Sequence, residues 1–504
     1  SNALYLGPEH ADILTFLQLR RPRGNEHERA RELFYAFWNR DEFMWRVEKD
    51  GDWWLMCPDQ CPGLADVFNA KASTSFVDDE TIAKNPQDYA FSALYRKYVR
   101  EGRFVKKIKA REIWDAVIEL QTEQGLPYMM HADNINRKNN QANLGTIKSS
   151  NLCCEIVEYT SPNEVAVCNL ASICLPEFVE NLPSDKNTWQ AIKKEHDFVY
   201  DCSLESGKYH MRRFNMEKFK ETIKHITKNL DSVIDLNFYP IEEAKRSNMR
   251  HRPIGLGVQG LADLFAMLRI PFDSQEALRL NFYIFEAMYF AALDSSNELA
   301  QQKGPYESFE GSPSSKGILQ FDLLEQEGLA NATERVGGTD VNIFFERRQD
   351  WTSLKSRIMD SGLRNSLTVA PMPTASTSYL MGNSPCFEPY NSNIYKRANA
   401  VGEFVVVNEL LINDLIALDL WGPDMKNKIM LHNGSIQEII EIPKKVRNIY
   451  KTAWDMSPKA IINLAISRSP FIDQSQSMNL FIERPSPKIL TMIHFYTWRR
   501  GLKT

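Results

Sequence analysis

Apolar, strand-length runs that alternate with helix-length segments constrain this chain most. Asn151 to Tyr159 and Glu164 to Cys174 precede helical segments, Arg252 to Val258 leads into one, and Ser366 to Ala370 leads into Pro373-Thr374-Ala375-Ser376-Thr377. Parallel strands need a crossover segment between them, so this alternation predicts α/β architecture. The clearest helix spans about Ser274 to Gln302, where Leu278, Phe282, Phe285, Tyr289, Ala292 and Leu299 recur on one stripe. Asp273 with Glu276 predicts its capping box, and Gly304-Pro305 its end. A second helix is expected over Arg111 to Gln124, stopped by Gly125 and Pro127. The stretches Asn69 to Asp88 and Glu325 to Arg348 are polar and aperiodic, and both are expected to be surface insertions.

Composition excludes several classes. The 504 residues are 43% hydrophobic and 25% charged, ordinary globular values, and one large α/β barrel can use this much chain. A net charge of -5 lacks the basic excess of a nucleic-acid binder. The clusters Arg20-Arg21 with Arg23 and Lys106 to Arg111 read as solvated faces. No apolar run reaches the ~18 to 20 residues that span a bilayer and no leader is evident, so no membrane partner and a cytoplasmic location are expected. Eight cysteines in so long a chain do not form a disulfide framework. Cys57 and Cys61 have loose zinc spacing with no second pair, so no metal site is expected. Ser1-Asn2-Ala3 reads as an expression-tag remnant, leaving 4–504 as the folding unit.

The stretch Ser150-Asn151-Leu152-Cys153-Cys154-Glu155-Ile156 carries the chemistry. If it is extended, Asn151, Cys153 and Glu155 share one face, while Cys154 faces away and serves packing. An amide, a thiol and a carboxylate together supply a hydrogen-bond donor, a sulfur able to exchange a hydrogen atom, and a proton acceptor. Cys168 brings a second thiol just downstream. The plainer reading is a pair of ordinary strands with buried cysteines. Thr374, Ala375, Ser376 and Thr377 follow an apolar run, and a helix starting there would aim free N–H groups at a phosphate; a simple Ser/Thr cap is the plainer alternative. Gly255, Gly257 and Gly260 spell G-x-G-x-x-G, but the acid expected about 20 residues on falls inside the long helix, so close packing is the better reading. His251, between two arginines, is expected to be structural or exposed.

The run SNLCCEIVEYTSPNEVAVCNLASICLPEFV resembles the active-site segment of the large subunit of class I ribonucleotide reductase, in its eukaryotic and viral style. RHRPIGLGVQGLAD, GPYESFEGSPSSKGILQFD, RNSLTVAPMPTAST, EPYNSNIY and FIDQSQSMNLFI resemble further signatures of that family in family order. The resemblance implies a ten-stranded α/β barrel of two five-stranded halves with a central finger loop bearing Cys153. It implies that Cys153 becomes a thiyl that takes the ribose 3′ hydrogen, that Glu155 accepts the 3′ hydroxyl proton, and that Asn151 orients the sugar. Cys168 and a partner thiol supply the reducing equivalents, and Thr374 to Thr377 cradle the diphosphate. Cys154 departs from the threonine expected in the family.

The implied substrate is a ribonucleoside diphosphate. No cofactor is bound directly; a metal-containing, radical-generating small subunit supplies the radical, and a thioredoxin- or glutaredoxin-type reductant recycles the thiols. The complete family protein is a homodimer of large subunits under ATP and dNTP effectors. Against that pattern the N-terminal regulatory region, the second redox cysteine, the relay tyrosines and the C-terminal cysteine tail are not seen, so the barrel is expected to be incomplete at both ends and inactive alone. Two other readings are a glycyl-radical barrel enzyme, whose C-terminal glycine motif is missing, and a degenerate or split paralogue kept as a scaffold, whose usual mark would be loss of the trio.

Overall fold

Three short strands, β1 (Ala3–Leu6), β2 (Phe34–Asn39) and β3 (Tyr128–His131), lie parallel in that order. The computed structural model describes residues 2–182, 197–204, 210–329, 333–336, 339–399 and 402–504. Ala3, set apart with the tag remnant on sequence grounds, opens β1 opposite Phe34. The crossover from β2 to β3 includes α1 (Ala110–Gln124), the second expected helix, which buries Ile113, Trp114, Val117, Ile118 and Leu120 and ends at Gly125 with φ +69°.

A second parallel pair joins β4 (Asn169–Cys174) to β5 (Ile254–Gln259), with Asn169 opposite Ile254. The run at residues 367–370 continues it: Ile254 N donates to Leu367 O (3.0 Å), Leu256 N to Thr368 O (2.8 Å) and Ala370 N to Leu256 O (2.9 Å). Residues 473–477 follow, with Gln474 N on Val369 O (3.2 Å) and Ser477 N on Pro371 O (2.9 Å). The C-terminal residues return to the first sheet, where His131 N donates to Lys503 O (2.9 Å).

Extended runs therefore follow one another around the molecule in α/β fashion, as expected. Among the described residues, hydrogen bonds do not close the expected ten strands into one ladder. The segment at residues 151–157 explains part of this: Ser475 N donates to Glu155 O (2.9 Å), and Val157 N donates to the Gln474 side chain (3.0 Å). Donors and acceptors that a neighbouring strand would use are taken by this inserted loop.

Helices α2 (Met216–Leu236), α3 (Leu261–Met267) and α4 (Gln275–Lys303) pack around the second pair. α4 is buried on most of its circumference, so its stripe of aromatics is core. Its cap differs from expectation. Ser274, not Asp273, accepts from Ala277 N (3.1 Å), and the Glu276 side chain is engaged by Arg279 and Tyr200. Gly304 ends the helix as expected.

Both polar stretches lie at the surface over most of their described residues, as expected, and each is anchored inward at one end. Asn69 is buried and its N–H donates to Asp133 (3.0 Å). Glu327 pairs with Arg137 and Lys138, each at 2.8 Å. Spacing shows polarity but not a distant counter-ion. Residues 330–332 and 337–338 of that second stretch lie outside the described residues. Among the described residues, no helix is long and apolar enough to cross a membrane.

Candidate active site

Residues 151–156 form a turn, not the expected strand. Cys154 N donates to Asn151 O (3.4 Å), Ile156 N to Asn151 Oδ1 (3.2 Å) and Ser150 Oγ to Ile156 O (2.6 Å). Cys154 takes φ +68°, a left-handed conformation unusual for a residue with a Cβ. The expected alternation of faces thus fails as geometry, yet its consequence for Cys154 holds by another route. The Cys154 side chain lies in an apolar cluster with Trp38, Met130, Ala132, Ile135, Ile147 and Val157, its sulfur 3.5 Å from Tyr5 Oη.

Asn151, Cys153 and Glu155 do come together. Glu155 is 2% exposed, and its Oε2 has no hydrogen-bond partner among the described residues. Burial pushes its carboxyl above the ordinary value, opposed by its own N–H and the Asn151 amide. Cys153 is partly exposed, and its thiol is raised first by burial and then by the Glu155 charge. Tyr5, on β1, donates its hydroxyl to Asn151 O and so ties the turn to the first sheet.

Cys168 immediately precedes β4 and is partly accessible. Its thiol is raised well above the usual range by burial, then by Glu158, with Glu155 contributing as well. The field of Glu155 therefore reaches both Cys153 and Cys168. Gly255 on β5 makes the room: a Cβ there would sit 2.5 Å from Leu170 Cδ2, 3.0 Å from Cys168 Sγ and 3.1 Å from Ala370 Cβ. A Cβ on Gly257 would sit 2.6 Å from Met372 Sδ. These glycines serve close packing, as expected. His251 is buried between Ser308 Oγ (2.6 Å) and Glu164 Oε2 (3.3 Å), a structural position.

The loop Thr374 to Thr377 precedes α5 (Thr377–Met381). Thr374 is buried, its Oγ1 accepting from Cys386 N (2.6 Å), so that hydroxyl is committed to holding the loop. Ala375, Ser376 and Thr377 are exposed. Thr377 Oγ1 lies 3.3 Å from Ser172 Oγ on β4. Cys168 and Ser172 are four residues apart, about 13 Å along an extended chain. The sulfur thus sits just before β4 and the loop lies against the middle of the same strand.

Compared with known proteins, the chain matches the family model described as ribonucleotide reductase, barrel domain, over residues 1–504. The chain belongs to the ribonucleotide reductase barrel family. It is 48% identical over 502 residues to the ribonucleoside-diphosphate reductase large chain of Schizosaccharomyces pombe, covering 100% of this chain and 54% of the relative. It is likewise 48% identical over 504 residues to the large subunit of Arabidopsis thaliana, covering 100% of this chain and 56% of that protein. The chain spans about half the length of the curated relatives it matches. Among solved structures it resembles the class Id ribonucleotide reductase alpha subunit of Actinobacillus ureae, with TM-score 0.63 and 21% identity over 99% of this chain and 69% of that one, a likeness of fold.

Within this reductase barrel, sequence reasoning passed over Tyr5, Glu158, Asp473 and Gln474. Glu158 and the Asp473-Gln474 pair sit inside the quoted motifs, but nothing local shows that they meet. Asp473 accepts from Thr368 N, Thr368 Oγ1 and Val369 N, each at 2.8 Å. Gln474 places its amide 3.8 Å from Cys168 Sγ. Tyr5 carries no sequence signal at all, being 146 residues from its partner Asn151.

Proposed function

We propose that this chain is the catalytic barrel of a ribonucleoside-diphosphate reductase large subunit, reducing ribonucleoside diphosphates to deoxyribonucleotides by thiyl chemistry. The observation that carries the reading is the meeting of Asn151, Cys153 and Glu155 in one turn, with Cys168 within the field of the same carboxylate. The radical comes from a metal-containing small subunit. Cys153, once a thiyl, takes the 3′ hydrogen atom of the ribose and becomes a thiol. Glu155 accepts the 3′ hydroxyl proton, and its unpartnered Oε2 is an acceptor open to that hydroxyl. Asn151 steadies both the carboxylate and the sugar. The 2′ hydroxyl leaves as water with one thiol proton, Cys168 and a partner thiol give the sugar two electrons and a second proton as they close a disulfide, Glu155 returns its proton to the 3′ oxygen, and Cys153 returns its hydrogen atom to C3′ and is a thiyl again; a thioredoxin-type dithiol then reopens the disulfide. The exposed residues Ala375, Ser376 and Thr377 hold the diphosphate, with Thr374 fixing the loop. A dry enclosure protects the radical from side reactions, and the burial of Glu155 supports one here.

The test is a reconstituted large subunit carrying this barrel, mixed with a radical-generating small subunit, a dithiol and a ribonucleoside diphosphate. Deoxynucleotide formation is expected. An assembled mixture that binds the nucleotide and forms no product would favour the scaffold reading.

A further inference from the structure

One buried amide touches three pieces of the candidate site, and the proposed chemistry gives it no part. Gln474, in the run at residues 473–477, is 0% exposed. Its Oε1 accepts from Val157 N (3.0 Å), at the end of the loop that carries Cys153 and Glu155. Its Nε2 donates to Ile254 O (3.1 Å), the first residue of β5, and lies 3.8 Å from Cys168 Sγ, within hydrogen-bonding reach of a sulfur. One oxygen and two N–H bonds meet one N–H, one carbonyl and one sulfur, so both donors of the amide are used.

The partners also fix which way round the amide sits. Reversed, it would set its N–H bonds against Val157 N–H and its oxygen against the Ile254 carbonyl, two like-to-like contacts in a buried site. Cys168 therefore faces an N–H and not an oxygen. A sulfur so placed is an acceptor, and the bond strengthens as the sulfur becomes negative. Burial raises the Cys168 thiol first, Glu158 and Glu155 add to it, and the Gln474 hydrogen bond works in the opposite direction. The backbone on either side is braced. Lys503 Nζ donates to Asp473 O (2.8 Å) and Gln474 O (2.6 Å), Asp473 accepts from Thr368 N and Val369 N, and Ser475 N donates to Glu155 O (2.9 Å).

We propose that Gln474 is a positioning residue for the reductant sulfur: it joins the loop of Cys153 and Glu155 to β5 and aims an N–H at Cys168 Sγ, favouring the thiolate there. The role of Cys168 as reductant rests on the reductase reading. The amide itself gains and loses no proton and no electron. It holds the sulfur in place and stabilises the electron pair left on it as the S–H proton passes to the substrate.

The test is alkylation of Cys168 by iodoacetamide at pH 9 in the folded chain, read by peptide mass spectrometry against the partly exposed Cys57, since only the thiolate reacts. Gln474→Met keeps the length of the side chain and removes both donors. Its Cys168 rate is expected to fall about tenfold or more, one unit of thiol pKa being a factor of ten. Loosened packing acts with the opposite sign, because it uncovers the sulfur and raises the rate. Gln474→Glu keeps the acceptor for Val157 N, and any proton it carries is claimed by Ile254 O, so the same fall is expected. A fall in Gln474→Met carries the proposal. An unchanged or raised rate there overturns it, even if Gln474→Glu falls, which would be the work of its new charge. Should Gln474→Met not fold, side-chain amide NMR of the chain labelled with nitrogen-15 glutamine decides. In Cys168→Ala, one glutamine amide should show one of its two protons moving upfield on loss of the sulfur acceptor, while the other, bound to Ile254 O, stays. No such proton overturns the proposal. Neither readout requires turnover, so failure here and failure of the reductase reading are separate results.

Discussion

Cys153 and Cys154 are adjacent in sequence and opposite in fate. The left-handed φ of Cys154 turns its side chain into the cluster around Trp38 and Met130, while Cys153 stays partly accessible in the field of Glu155. Serine at Cys154 keeps the size and offers Tyr5 a hydroxyl partner. Cys154→Ser in the reconstituted enzyme should therefore retain most of the turnover, at a stability cost of about 1 kcal/mol for an altered buried polar group. Cys153→Ser should abolish turnover with unchanged urea stability, because an alkoxyl radical is not an accessible substitute for a thiyl. Equal loss in both variants would refute the division of roles.

At the scale of elements, β5 lies between β4 and the run at residues 367–370, and Gly255 sets how closely they approach. Overpacking a tight core contact costs roughly 1 to 3 kcal/mol. Gly255→Ala should lower the urea midpoint accordingly and, by displacing Cys168, change its alkylation rate while leaving that of Cys61, buried near Arg103, unaffected. If Cys168 reacts as in wild type, β5 does not set the position of that sulfur. Elements whose logic is local were legible in sequence: α1 and α4 announce themselves through periodicity, and their glycine ends were found. The site residues were legible as a motif, and the glycines as packing residues. The turn at 151–156 was not, because its shape depends on Tyr5, 146 residues from Asn151, and on the run at 473–477, whose Gln474 is 317 residues from Val157.

Across the whole molecule, the last segment of the chain locks onto the first sheet. In α6 (Pro487–Arg499), Trp498 Nε1 donates to Asp41 (2.7 Å), and Asn134 Nδ2 donates to Trp498 O (3.0 Å) and Leu502 O (2.8 Å). His131, 1% exposed, sits in this junction between Asn39 and Thr497, each at 3.3 Å. Burial first, and then electrostatic opposition from His494, Lys138 and Arg137, hold it down to about 3. The unfolded chain, with an ordinary histidine near 6.5, binds this proton first. The contribution of neutral His131 is therefore complete above about pH 6.5 and is lost progressively as the pH falls towards 3. Carboxylates titrate in part of the same window, so the comparison must be between variants. His131→Gln, which keeps hydrogen bonding without a titrating ring, should be less stable at pH 7 by about 1 to 3 kcal/mol yet lose less stability between pH 6.5 and 4. Urea midpoints measured across that range check it, and parallel pH curves would mean that the ring is not the acid-sensitive element. Lys503 leaves this same junction to hold Asp473 O and Gln474 O, and Gln474 flanks Cys168. Loosening the junction in acid should accordingly raise amide hydrogen exchange at residues 473–474 in wild type before global unfolding, relative to the intrinsic exchange rate at each pH, and raise it less in His131→Gln.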